Sequence, residues 1–148
     1  MFFFDTNDLK TSEIYLSLVG TYEADIKKSW VPSYRFDICL LDGTKIGVCN
    51  LRIDNTELTK YCGNIGYIID EKYRGNKYSL KASKLVLGLA KKHGLKYVLV
   101  NCEPENIASN KICKLLNADF VETVDIPETH EMYEQGTRRM NIYKIDLK

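Results

Sequence analysis

The chain has 148 residues, 45% of them hydrophobic and 28% charged, with a formal net charge of +1. That length fits one domain, here taken as 1–148, and lets the chain bury roughly 70% of its unfolded surface, so stability needs no metal or disulfide. The near-neutral balance excludes a bulk electrostatic footprint for nucleic acid. No apolar run approaches the ~18 residues that would cross a membrane.

In chain order, the start MFFFDTNDLK has an apolar patch without a basic flank or a small-residue cleavage site, and is not expected to be a signal peptide. From Thr6 to about Lys28 polar residues carry Ile14, Leu16, Leu18, Val19, Tyr22 and Ile26, read as one or two short helices broken near Gly20. Phe36, Ile38 and Leu40 alternate with Arg35, Asp37 and Cys39. The Asp42-Gly43 turn then leads to Ile46, Val48, Asn50 and Arg52, which predicts a hairpin of residues 34–41 and 44–53. Asp54 to Lys60 reads as a polar connector, and NIGYIID as a third strand near 64–70.

Ala82, Leu85, Val86, Leu89 and Ala90 recur at helical spacing between Ser79 and His93, with Gly94 placed to end the helix. YVLVNC (97–102) predicts a buried strand, and Asn106 can cap a helix carrying Ala108, Ile112, Leu115 and Leu116. Two more strands are expected near 118–125 and 138–146, around the polar loop IPETHEMYEQGT. Strands cluster first and then alternate with helices, an α+β pattern with a mixed sheet. The unit 64–101 should place its two strands parallel.

Cysteines 39, 49, 62, 102 and 113 are odd in number, and no two are separated by only two residues, which offers no zinc or thioredoxin-type pattern. Cys39, Cys49 and Cys102 sit in strand-like runs and read as small buried hydrophobes in a reducing compartment, the cytoplasm.

The stretch YRGNKYSLKA joins the third strand to the long helix. A turn at a helix N-terminus aims backbone N–H groups in one direction and adds roughly half a positive charge. Arg74 and Lys77 add two full charges and Ser79 a hydroxyl. Together these suit a pyrophosphate. The single glycine fits neither the nucleotide P-loop nor the dinucleotide fingerprint, and a turn with solvated charges is the plainer alternative.

With IGYIID before it and NCEPENIAS after it, this stretch resembles the GNAT family of N-acetyltransferases. The family's cofactor pattern is Arg/Gln-x-x-Gly-x-Gly/Ala. Arg74 matches its first position, Lys77 stands where glycine is usual, and Ser79 takes the final small position. Asn106-Ile-Ala-Ser109 resembles the Asn-x-x-Ser stretch that opens the next helix, and Phe120 takes an aromatic position of the family. WVPSYRF (30–36) and NLR (50–52) extend the likeness to a bacterial subgroup of acetyltransferases.

The resemblance implies a mostly antiparallel mixed sheet of six to seven strands, with helices on both faces and a splayed parallel pair at the cofactor site. It implies acetyl-CoA as cosubstrate and no metal. The pyrophosphate would meet the backbone of Arg74, Gly75, Asn76, Lys77, Tyr78 and Ser79, and the pantetheine arm would meet Tyr67, Ile68, Ile69, Asn106 and Ser109. An amine of a small molecule or peptide would attack the thioester directly. Ile69 N–H is the expected oxyanion donor and Glu103 the candidate base, although Glu103 also reads as a solvated carboxylate and a water chain can serve instead.

Cys113 stands where many members carry an acidic tyrosine. A thiol can donate a proton in principle, while Tyr133 and Tyr143 are alternative donors. His93 reads as structural. His130, Trp30 and Tyr34 are candidates for the acceptor side. A non-catalytic acetyl-CoA-binding sensor or interaction module, and an interaction domain without cofactor, remain as alternatives. No membrane partner is expected, and a homodimer is compatible with folds of this kind.

Overall fold

The computed structural model describes residues 2–147, the Leu58 side chain apart. Seven strands form one sheet: β1 Ile14–Tyr22, β2 Ser33–Leu40, β3 Lys45–Arg52, β4 Ile65–Ile69, β5 Tyr97–Cys102, β6 Asp119–Asp125 and β7 Arg139–Asp146. Their spatial order is β1-β2-β3-β4-β5-β7-β6. Neighbours are antiparallel except β4 and β5, which run parallel. The helices are α1 Glu57–Cys62, α2 Tyr78–Lys92, α3 Ile107–Leu115 and α4 Glu131–Glu134. This is the α+β architecture that the order of elements predicts.

Alternation along the central strands separates two faces. Cys49, Leu51, Ile65, Val98 and Val100 join Ala82, Val86, Leu89 and Ala90 of α2 in the main core. Asn50, Arg52 and Asn101 point the other way. There Asn101 Nδ2 donates to Lys60 O of α1 at 2.7 Å, so α1 lies across the sheet from α2. His93, at the end of α2, is held by Tyr34 Oη at 2.6 Å, with the Phe4 ring against it. It is structural, but its partner is a phenol rather than a helix carbonyl.

The first element differs from expectation. Residues 14–22 form an edge strand paired along its length with β2, from Ile14↔Leu40 to Tyr22↔Ser33. Ile14, Leu18, Tyr22 and Ile26 also fit a four-residue helical spacing, so the pattern was ambiguous. Pairing with β2 resolves it, burying Ile14 and Leu16, while a bulge between Leu18 and Gly20 breaks the period of two. Two polar stretches also hold more structure than expected, since α1 forms within 54–62 and α4 within 126–137. The His130 side chain caps α4 by accepting from Met132 N, an unusual residue in that role.

Asn64 sits where β3, β4 and β5 meet, with no exposed surface. Its Nδ2 donates to Arg52 O (3.0 Å) and Asp54 O (2.9 Å), and its Oδ1 accepts from Leu99 N (2.7 Å). Its own N–H donates to Leu99 O (2.8 Å), and its carbonyl accepts from Arg52 N (2.7 Å). Beyond this point β4 and β5 register only at Ile65↔Val100. Asn64→Ala removes three buried hydrogen bonds and should cost about 2–4 kcal/mol, read as a fall in the urea midpoint at unchanged m-value. A loss under ~1 kcal/mol would mean that the junction is held elsewhere.

Candidate functional site

Between β4 and α2 the chain makes a short 3-10 turn, Glu71–Tyr73, and then runs through residues 74–77. Arg74 Nε donates to Ile69 O at 2.9 Å, so this side chain braces the turn. Gly75 has φ +89°, and Lys77, immediately before α2, lies in the left-handed region at φ 61°, ψ 25°. Among the described residues no acceptor takes the backbone N–H groups of residues 75 to 80; the first paired amide is that of Lys81, to Lys77 O. A run of free amides at a helix N-terminus, beside the exposed Lys77 ammonium, is a ready anion site.

The strand before the turn offers a second row of amides. Asp70 N donates to Ile46 O and Arg52 N to Asn64 O, so Gly47↔Ile69, Cys49↔Tyr67 and Leu51↔Ile65 are the non-hydrogen-bonded pairs of the β3–β4 ladder. The N–H groups of Tyr67 and Ile69 therefore point away from β3, toward β5. Since β5 has already parted from β4, they face a gap. β3 holds β4 closely here: a Cβ on Gly47 would collide with the Ile68 carbonyl oxygen.

α3 borders this gap. Asn106 Oδ1 caps the helix by accepting from Ser109 N at 3.0 Å. Asn110 ties the preceding loop to β7: its Nδ2 reaches Glu103 O, Pro104 O and Asn106 O, and its Oδ1 accepts from Asn141 Nδ2 (2.9 Å) and Tyr143 Oη (2.8 Å). Cys113 is fully buried, its thiol 3.9 Å from Val100 O. The neighbouring Cys102 thiol, and then burial, hold it in the thiol form. Burial pushes the Tyr67 phenol up to about 12, against a smaller opposing effect of the nearby Ser109 side chain. Glu103 is exposed, with Oε1 accepting from Thr137 Oγ1 at 3.2 Å.

On the opposite face of the sheet a cleft of about 570 Å³ is lined by Trp30, Tyr34, Arg35, Asn50, Arg52, Cys62, His130 and Glu131, among others. Its floor adjoins β4, because Asn50 pairs with Gly66. Among the described residues no cluster of His, Cys, Asp or Glu side chains could hold a metal ion, and no helix is long and apolar enough to cross a membrane.

A sequence profile of the acetyltransferase (GNAT) domain matches residues 7–118. The chain belongs to the GNAT acetyltransferase family. No curated protein sequence matches it. Among solved structures, the Microcin C7 self-immunity acetyltransferase MccE, in complex with acetyl-CoA and AMP, is 20% identical with a TM-score of 0.60, over 78% of this chain and 61% of MccE. The ribosomal L7/L12 alpha-N-protein acetyltransferase RimL, in complex with coenzyme A, is 12% identical with a TM-score of 0.66, over 93% of this chain and 96% of RimL. A Salmonella typhimurium acetyl transferase that modifies the N-terminal serine of L7/L12 is 17% identical with a TM-score of 0.60, over 82% and 67%. These likenesses establish a shared fold, and this GNAT chain spans less than two thirds of MccE's length.

The structure gathers Tyr67, Ile69, residues 74–79, Asn106 and Ser109 around one gap. It places Glu103 just past β5, and sets His130 and Trp30 at the cleft across the sheet; Tyr34, expected on that side, instead turns its ring into the core against Phe36, with its hydroxyl on His93. Sequence reading missed the Tyr67 side chain, Asn110, Asn50 and Arg52. Only Arg52 and Asn50 left a signal there, as polar positions alternating with apolar ones on β3. Phe120, expected at an aromatic position of the family, packs against Tyr143 at 5.6 Å.

Lys77 adopts a conformation that costs an L-residue roughly 1–2 kcal/mol, which is why glycine suits the position. Lys77→Gly should leave stability unchanged or raise it by up to ~1 kcal/mol, after the greater unfolded-state freedom of glycine is allowed for. A clear loss of stability on thermal unfolding would mean that the lysine stem packs usefully.

Proposed function

We propose that this protein transfers an acetyl group from acetyl-CoA to the amine of a small molecule or peptide, by direct attack of the amine on the thioester. The observation that carries this reading is the pair of unpaired amide rows, residues 75–80 at the turn and Tyr67 and Ile69 along the gap, meeting at the open end of β4. The first row fits a pyrophosphate and the second fits the amides of a pantetheine arm laid down like an added strand. Acetyl-CoA, when bound, supplies an acyl group already activated for attack.

The chain's own groups divide the remaining work. Ile69 cannot serve both the arm and the oxyanion. Its carbonyl is taken by Arg74 and leaves one N–H free. Ile69 N–H holds the arm. Tyr67 N–H, which has the same orientation two residues closer to the strand junction, stabilises negative charge developing on the carbonyl oxygen. Asn106 keeps its Oδ1 in the helix cap and offers its amide NH₂ to the arm. Lys77 places a cation beside the phosphates.

Glu103 takes a proton from the incoming ammonium, because the neutral amine is the nucleophile. The N–C bond forms as the C–S bond breaks. The departing sulfur takes a proton from a side chain of the site, and the second proton leaving nitrogen passes through solvent to restore that donor. Cys113 is buried with its thiol engaged, so the sulfur's proton comes from Tyr67, whose burial keeps the phenol protonated and also makes it a weaker acid than an exposed tyrosine. Cytoplasmic thiol conditions suit the five unbridged cysteines.

Acetyl-CoA binding by calorimetry, with release of CoA thiol across a panel of amines, tests the reading. Binding with turnover is expected. Binding with no turnover on any amine would favour a non-catalytic acetyl-CoA module, a reading the buried Cys113 keeps in play, and no binding would overturn both.

Given turnover, Glu103→Gln should lower kcat more than affinity and alter its pH profile. Tyr67→Phe should lower kcat on the order of a hundredfold. Unchanged kcat in either variant would move that role to solvent. Lys77→Gly should weaken CoA binding at low salt and much less at high salt; equal affinity at low salt would leave the turn geometry as the residue's whole contribution.

A further inference from the structure

The cleft across the sheet contains more positive charge than its surroundings neutralise. Arg35 lies opposite Asn50, and Arg52 lies opposite Ser33, on adjacent strands. The two arginines are thus diagonal neighbours on one face, with Cβ atoms roughly 7–8 Å apart. Arg52 donates from Nη1 to Gly63 O at 3.3 Å. Among the described residues neither guanidinium is paired with a carboxylate. Two like charges side by side on one face repel each other, and a shared anion relieves that repulsion.

His130 adds a third donor to the same cleft. Its Nδ1 accepts from Met132 N at 3.0 Å, so the proton of the neutral ring sits on Nε2. That Nε2 is buried and has no partner. Glu131, the next residue, brings to the same cleft a carboxylate that accepts a 3.4 Å hydrogen bond from Gln135. The cleft therefore offers donors suited to an anion and an acceptor suited to an ammonium, and its floor adjoins Gly66, next to Tyr67.

We infer that the acceptor of this enzyme is an amine that carries an anionic group, a carboxylate or a phosphate, gripped by Arg35, Arg52 and His130 while its amine end lies toward Tyr67. This rests on the acetyltransferase reading above and narrows its substrate class. Guanidinium forks bind either anion through paired, charge-assisted hydrogen bonds, so the shared chemistry is the anion, and the trial compounds separate its two sources.

The experiment compares three acceptor series at matched amine chain length: straight-chain ω-aminocarboxylates, aminoalkyl phosphates and plain alkylamines. CoA thiol release gives kcat and KM for each. An anionic series should show a kcat/KM ~10-fold or more above the alkylamines, expressed mainly in KM. In Arg35→Gln, Arg52→Gln and the double variant, each first shown to be folded by its thermal midpoint, that preference should collapse toward one. Whichever anionic series leads identifies the anion. Alkylamines that match both anionic series, or a preference that survives in the double variant, would overturn the inference.

Calorimetric titration of CoA-loaded protein with the same compounds gives a readout independent of turnover. Anionic amines that bind without being acetylated would leave this inference standing and defeat the catalytic reading. Turnover of alkylamines with no advantage for an anion would do the reverse.

Discussion

The site depends on one carboxamide. Asn64 uses both N–H bonds of its Nδ2, its Oδ1 and both backbone groups to tie the end of β3, the start of β4 and the middle of β5 together. A side chain that reaches across to Leu99 replaces the ladder that two parallel strands would otherwise continue. Past that junction β4 remains paired on one side and is free on the other. The gap is then a consequence of where the pairing stops, and its depth is set by the register Ile65↔Val100.

From that junction the two sides of the proposed reaction separate naturally. Side chains on one face of β4 and β5 build the core under α2 and border α3, so Tyr67, Cys102 and Cys113 come together there. Side chains on the other face, Asn50 and Arg52 with Arg35 beside them, line the cleft. Strand alternation alone thus keeps the apolar support and the polar recognition surface on opposite sides of the sheet, while the backbone between them carries the free amides.

The left-handed residue before α2 shows how a family pattern can persist in geometry after it has changed in chemistry. Lys77 keeps the backbone conformation that glycine would adopt without strain. A residue held at such a conformation by its surroundings, at a turn full of unpaired amides, is a place where strain accompanies function. The position also keeps a cation at the mouth of the helix dipole, where an anion would be drawn.

The residues alone determined much of this. Alternation and the Asp42-Gly43 turn located the hairpin, helical spacing with Gly94 located α2, and the segments around YRGNKYS and NCEPENIAS pointed to one cofactor-type gap. These features are local, carried by period and turn chemistry. Residues 14–22 were not legible, because the same apolar positions fit a helix or an edge strand until β2 supplies hydrogen bonds. The depth of the gap, the bracing of Ile69 by Arg74, the tyrosine beside Cys113 and the two arginines in one cleft that meet no carboxylate among the described residues are properties of register and of distant segments brought together. Only the tertiary structure decided them, since side chains far apart in sequence meet through the pairing of strands and nothing in their spacing encodes it.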